Sequence, residues 1–307
     1  MPFIDSQGAR IYWDERSVGE PVLLIMGLGY PSDMWWRTRP VLDGHYRTIV
    51  LDNRGSGRSD VPPGPYPIPQ MAADAVAVLD AAGVEGAHVF GISMGGMIAQ
   101  ELALEFPRRV RSLMLGCTAA GGPTAIRAEP EVTELLMNRG AMTPEQSALA
   151  AIPYVYDRNT ARDRIEEDLA IRRGWFPKPE GYVAQLQGIL GWESYSRLPQ
   201  LNVRTLVIHG ETDRLVPLGN AELIAGRIPG AKLVRLPHAS HIFPTDQTAA
   251  ANGAILEFLA GRRATELADT SRSMSDNCWR RGSALGSAST VLVGRSCRFH
   301  LRLLDCN

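Results

Sequence analysis

The run Gly91-Ile92-Ser93-Met94-Gly95-Gly96 narrows the possible folds more than any other part of this 307-residue chain. It joins the apolar stretch Ala87–Ile92, which reads as a buried strand, to Met94–Phe106, which repeats apolar residues at helical spacing and stops before Pro107. A serine on such a strand-to-helix turn is held in a strained backbone conformation, and small residues two positions to either side let the turn close. Its Oγ then projects above the strand end, where a base can reach it. A bare five-residue match could arise by chance in a chain with 30 glycines; the strand before it and the helix after it give it weight.

The same alternation extends outward. Val22–Met26, Thr48–Leu51, Val110–Leu115, Thr205–Ile208 and Lys232–Leu236 are short, β-branched or Leu-rich, and stop at glycine or polar residues, as buried parallel strands do. Helical patterns fall between and after them at Ala72–Ala82 (ending at Gly83, a good C-cap position), Asn220–Arg227 and Ala249–Leu259. The expectation is an α/β fold, a mostly parallel sheet with helices on both faces. From 121 to 198 the alternation breaks down into amphipathic pieces rich in proline and aromatics, which reads as a helical cap inserted between two strands. The core would then be 1–120 and 199–264. The remainder, 265–307, is rich in Ser, Arg and Gly without sustained periodicity and reads as a loosely packed or disordered tail.

Bulk properties exclude several roles. A net charge of −1 gives no electrostatic reason to expect nucleic acid. No apolar run approaches the roughly 18–20 residues of a membrane span, and the N-terminal residues lack a signal-peptide pattern, so a cytoplasmic protein is expected. Cys117, Cys278, Cys297 and Cys306 have no C-x-x-C or metal-ligand spacing, and no H-E-x-x-H is present, so neither a metal nor another cofactor is called for. The glycine-rich Asp52–Ser59 stretch lacks the Gly-Lys-Ser/Thr ending of a phosphate loop and reads as a tight structural turn.

A serine hydroxyl needs a general base, and on this template the chain order is Ser, acid, His. His45 and His88 precede Ser93 and flank strands, His209 ends a strand as a packing or turn residue, and His300 belongs to the tail. That leaves His238 and His241, just past the final strand. Asp213, on the loop after Thr205–Ile208, is placed to accept the imidazole N–H and fix its tautomer, with Glu211 as competitor. The loop after Val110–Leu115 offers no acid. Two backbone N–H groups should face the developing oxyanion: that of Met94, after the serine, and that of Leu28 in Gly27-Leu28-Gly29.

From about Phe3 to Gly261 the chain resembles the α/β-hydrolase superfamily, in particular its capped esterases, lactonases and C–C hydrolases. The resemblance rests on Gly27-Leu28-Gly29, Asp52–Ser59, Gly91–Gly95, Gly210-Glu211-Thr212-Asp213 through Pro217, and Ser240-His241. Met26 departs from it, standing where the family often has histidine, and the tail has no counterpart. Chain order and the resemblance together favour His241 over His238. They imply a serine hydrolase of small or medium carboxylic esters or lactones, with Ser93, His241 and Asp213 as the triad. Enol-lactonase or C–C hydrolase activity is the alternative; perhydrolysis or a receptor role ranks below it. Trp35, Trp175, Trp192 and Tyr195 are the aromatics expected at the substrate pocket.

Overall fold

The strands are β1 (Phe3–Ser6), β2 (Ala9–Arg16), β3 (Pro21–Ile25), β4 (Arg47–Leu51), β5 (Ala87–Ile92), β6 (Val110–Gly116), β7 (Thr205–Gly210) and β8 (Lys232–Leu236). They form one sheet in the order β1-β2-β4-β3-β5-β6-β7-β8. The structure, a computed structural model, describes residues 2–261. The expected tail, with Cys278, Cys297, Cys306 and His300, lies outside the described residues.

From β4 to β8 every neighbouring pair is parallel, while β1 and β2 extend one edge in antiparallel fashion. The parallel strands β3 to β7 are largely buried on both faces, and their residues alternate between two cores, while β8 at the far edge is mostly exposed or half-buried. Leu23, Ile25, Val89, Leu113, Leu115 and Val207 point into one. Val22, Leu24, Phe90, Met114, Leu206 and Ile208 point into the other. Helices α2 (Ile68–Ala81), α3 (Met94–Glu105) and α8 (Gly219–Arg227) cover the first face. The 3-10 turn Ser32–Arg37, the short α1 (Arg39–Asp43) and α9 (Phe243–Asp246), and the helix over 248–261 lie on the second. No helix among the described residues is long and apolar enough to cross a membrane.

The chain reverses its direction of travel across the sheet at β3, whose neighbours are β4 on one side and β5 on the other. In open α/β sheets the crevice beyond the strand ends at such a reversal is where ligands bind. The loop after β3 carries Gly27-Leu28-Gly29, and the turn after β5 carries Ser93. Between β6 and β7 four helices intervene, α4 (Pro130–Asn138), α5 (Pro144–Val155), α6 (Arg162–Arg173) and α7 (Pro179–Leu190). Strands β1 and β2 were not anticipated; β2 buries only Ala9, Ile11 and Trp13, with Arg10 exposed and Tyr12 half-buried between them.

The Asp52–Ser59 stretch is a structural turn, as its sequence suggests. Asp52 accepts from the Ser32 and Arg58 backbone N–H groups at 2.6 and 2.8 Å. Arg54 is buried in a two-bond ion pair with Asp74 on α2 at 2.6 and 2.7 Å.

Candidate active site

Ser93 sits between β5 and α3 with φ 58° and ψ −122°, in a region a non-glycine residue seldom adopts. Its N–H donates to Gly116 O at 2.8 Å, and its carbonyl accepts from Gly96 N and Thr118 Oγ1 at 2.9 and 2.7 Å, so the strain is held from both sides. The flanking glycines are sterically required. A Cβ on Gly91 would stand 2.0 Å from Gly95 O, and one on Gly95 would stand 2.1 Å from Ile25 O. The turn closes only because both lack side chains.

His241 lies on the loop between β8 and α9, buried, with Nδ1 2.8 Å from Asp213 Oδ2. The carboxylate can only accept, so Nδ1 is the donor of this bond. Asp213 is itself fixed by the Leu215 and Val216 N–H groups, both 2.9 Å from Oδ1. Burial pushes the Asp213 carboxyl up, but the charge of His241 and hydrogen bonds from His209 and His241 outweigh it and hold the group well below the usual carboxylate range. The competing residues are elsewhere: Glu211 and His238 are both exposed.

Ser93, Met94, Leu28 and His241 line one cavity of about 640 Å³. Among the described residues no acceptor takes the N–H of Leu28 or Met94, and no hydrogen bond joins Ser93 Oγ to His241. Catalytic hydrogen bonds of this kind often tighten only once substrate is bound. The loop carrying Leu28 is braced by two side chains that sequence reasoning missed. Asn53 Nδ2 donates to Met26 O at 2.8 Å, and Gln185 on α7 accepts from Gly29 N at 2.8 Å while donating to Arg54 O at 2.7 Å.

Asp246 is a third omission. Its Oδ2 accepts from Ser240 N at 2.7 Å and from Asp157 N at 3.2 Å, which ties the His241 loop to the end of α5. Burial raises its carboxyl to about 6 against the hydrogen bonds it accepts. An acid six residues past Ser240 carries no sequence mark of this role.

The four expected pocket aromatics do not line this cavity. Trp35 is buried in the second core, with its ring 5.0 Å from that of Phe90. Trp192 is buried in the first core and donates to Glu101 at 2.7 Å. Trp175 is partly exposed beneath the Arg58 guanidinium, and Tyr195 pairs with Arg227. Each ring satisfies local packing, which aromatic composition alone cannot separate from a ligand wall. The cavity is lined instead by aliphatic residues, among them Met97, Ile126, Leu136, Val155, Leu186 and Ile189.

Behind the acid, Cys117, His209 and Asp213 bring three potential ligand atoms within 4.8 Å of one another. Most of these atoms are already engaged, although His209 Nδ1 is buried without a hydrogen-bond partner. His209 Nε2 donates to Val216 O at 2.8 Å, both Asp213 oxygens accept N–H groups, and burial pushes the Cys117 thiol well up, away from the thiolate a metal needs.

The profile of a family described as alpha/beta hydrolase fold matches residues 20–149 and 145–247. The chain is 33% identical over 246 residues to a protein of Azorhizobium caulinodans named as a carbamate hydrolase, RutD, covering 79% of this chain and 92% of that one. It is 30% identical over 246 residues to a poly(3-hydroxyalkanoate) depolymerase of Ectopseudomonas oleovorans, covering 79% and 85%. Among solved structures, the enol-lactonase from Burkholderia xenovorans LB400 superposes with a TM-score of 0.77 at 26% identity, covering 84% of this chain and all of that one.

Proposed function

The chain belongs to the alpha/beta hydrolase fold family, and within it we propose a serine hydrolase that cleaves small to medium carboxylic esters or lactones through an acyl-enzyme on Ser93. The observation that carries this reading is the buried His241–Asp213 pair, 2.8 Å apart, opening onto the same cavity as the strained Ser93. Ser93 Oγ attacks the carbonyl carbon as His241 Nε2 takes its proton. The imidazolium that forms is stabilised by Asp213, whose depressed carboxyl stays ionised. Leu28 and Met94 N–H groups receive the oxyanion, an interaction that strengthens only as charge develops. The proton on Nε2 then passes to the leaving alkoxide. Water enters, gives a proton to His241 and attacks the acyl carbon, and Ser93 leaves with that proton.

Carbamates, polyesters and lactones, the compounds for which the relatives are named, all present a carbonyl with a heteroatom leaving group, which suits this chemistry. The aliphatic lining supports an apolar acyl portion, and the segment 121–198 is read as the cap that supplies most of that wall. The test is a p-nitrophenyl ester series, acetyl through dodecanoyl, with the wild type and Ser93→Ala. Turnover that falls on the order of 10⁶-fold in kcat in the variant is expected. Wild-type turnover that survives in Ser93→Ala would assign the nucleophile elsewhere, and no turnover of any ester or lactone would overturn the reading.

A further inference from the structure

Four arginines are buried among the described residues, and two of them have an acid beside them. Arg54 has Asp74 at 2.6 Å and Arg39 has Asp14 at 2.6 Å. Two on the helical insertion do not. Arg139, on the turn after α4, is 8% exposed, and Arg172, on α6, is 3% exposed. Among the described residues neither has a carboxylate within 4.0 Å. The acid one turn before Arg172, Asp168, is already saturated: it accepts from Trp36, Tyr156 and Thr245, and Arg37 Nε stands 3.6 Å away.

What surrounds the two guanidiniums is hydroxyl and aromatic rather than anionic. Arg139 Nε donates to Ser147 Oγ at 2.7 Å, and its guanidinium stands 5.2 Å from the Tyr182 ring centroid. Arg172 lies 4.2 Å from the Tyr30 ring centroid, and its Nε is buried without a hydrogen-bond partner. Both line a small cavity of about 20 Å³, room for little more than one water-sized group. Arg139 also lines the main cavity, with Ser93 and His241, and Tyr30 lines that cavity too. Burying a cation without a counter-charge is costly, and two of them bordering one cavity form a positive site that a small anion would complete. The planar fork of a guanidinium matches a carboxylate in two parallel hydrogen bonds.

Resting on the proposed function, we infer that Arg139, on the wall of the main cavity and sharing the small cavity with Arg172, forms a carboxylate subsite for a group held in the main cavity. The substrates of Ser93 then include esters or lactones that carry a free carboxylate away from the scissile bond. The aliphatic walls hold the connecting chain, and the insertion selects for its charged end. A free monoanion such as chloride has the same chemistry, so the test must separate the two.

The test compares mono-p-nitrophenyl hemiesters of dicarboxylic acids, succinate through suberate, with neutral p-nitrophenyl esters of matched length, using the full chain. The wild type should favour one or two hemiester lengths over their neutral counterparts in kcat/KM. That ratio should fall at least tenfold in Arg139→Met and be partly restored in Arg139→Lys. A ratio that is the same in wild type and Arg139→Met overturns the subsite. Because a variant can fail to fold, the wild type is also titrated alone: the dicarboxylate matching the preferred hemiester should inhibit competitively, and absence of inhibition counts against the subsite. Chloride that raises the melting temperature of the wild type but not of Arg139→Met, with no hemiester preference, would mean an inorganic anion site and overturn substrate recognition. If no ester of either kind turns over, the proposed function has failed on its own. The subsite is then judged by calorimetric binding of glutarate and suberate to wild type and Arg139→Met, and no binding overturns it.

Discussion

Asp213 shows how a single carboxylate is committed to one task. Two backbone N–H groups hold Oδ1, while His241 Nδ1 at 2.8 Å and His209 Nε2 at 3.4 Å face Oδ2, so the acid is fixed in one orientation. Asp213→Asn should therefore keep the fold but favour the wrong imidazole tautomer, lowering kcat by about 10⁴ with little change in KM. A loss under tenfold would assign the orienting role to another group. Asp246 titrates in the opposite sense. Its carboxyl is raised to about 6 from 3.8, so the folded state binds its proton more tightly than the unfolded chain. Its stabilising contribution is complete below about pH 3.8 and is lost as pH rises to about 6, by up to about 3 kcal/mol. Asp246→Asn keeps an acceptor for Ser240 N and removes the titration. Urea unfolding at pH 4.5 and pH 7 should show the variant gaining on the wild type at the higher pH. An equal difference at both would show that Asp246 is not the titrating group. The candidate residues Ser93, Asp213 and His241 are marked in the sequence by a motif, a chain order and loop positions after strands. Asp246 is not, because its role depends on where α5 ends in space.

At the scale of elements, the sheet was legible and its bracing was not. The inner parallel strands advertise themselves as apolar runs because both of their faces are buried. The antiparallel strands β1 and β2 do not, because they mix buried with exposed and half-buried residues. Contacts between the insertion and the core carry no periodicity at all. Gln185 on α7 is the clearest case, a buried amide that joins Gly29 N to Arg54 O and so holds the loop bearing the Leu28 N–H. Gln185→Leu leaves two buried backbone groups unpaired, at about 1–3 kcal/mol each, and should lower the melting temperature accordingly. It should also lower kcat more than it raises KM, because a displaced Leu28 N–H is missed chiefly when the oxyanion forms. Stability lost with kcat intact would make Gln185 a brace for the fold alone.

Across the whole molecule, the proposed chemistry and the proposed selectivity come from different parts of the chain. Ser93, Met94, Leu28, Asp213 and His241 all stand on turns at the ends of strands, while Leu136, Val155, Leu186 and Ile189 come from the helices between β6 and β7. The aromatics of that insertion drew attention in the sequence, yet its aliphatic side chains form the wall. Composition cannot tell a ring that packs from a ring that binds. An aliphatic cavity of about 640 Å³ should reward each added methylene until it is full. Burial of a methylene contributes roughly 0.8 kcal/mol, so kcat/KM for straight-chain esters should rise about fourfold per carbon and then level off. Leu186→Trp takes space from the wall without touching the strand-end turns. It should move the plateau to shorter chains, cutting octanoate turnover far more than acetate turnover. If both fall by the same factor, the substitution has disturbed the reacting atoms, and wall and catalytic turns are not separable. If neither changes, the acyl chain does not lie along α7.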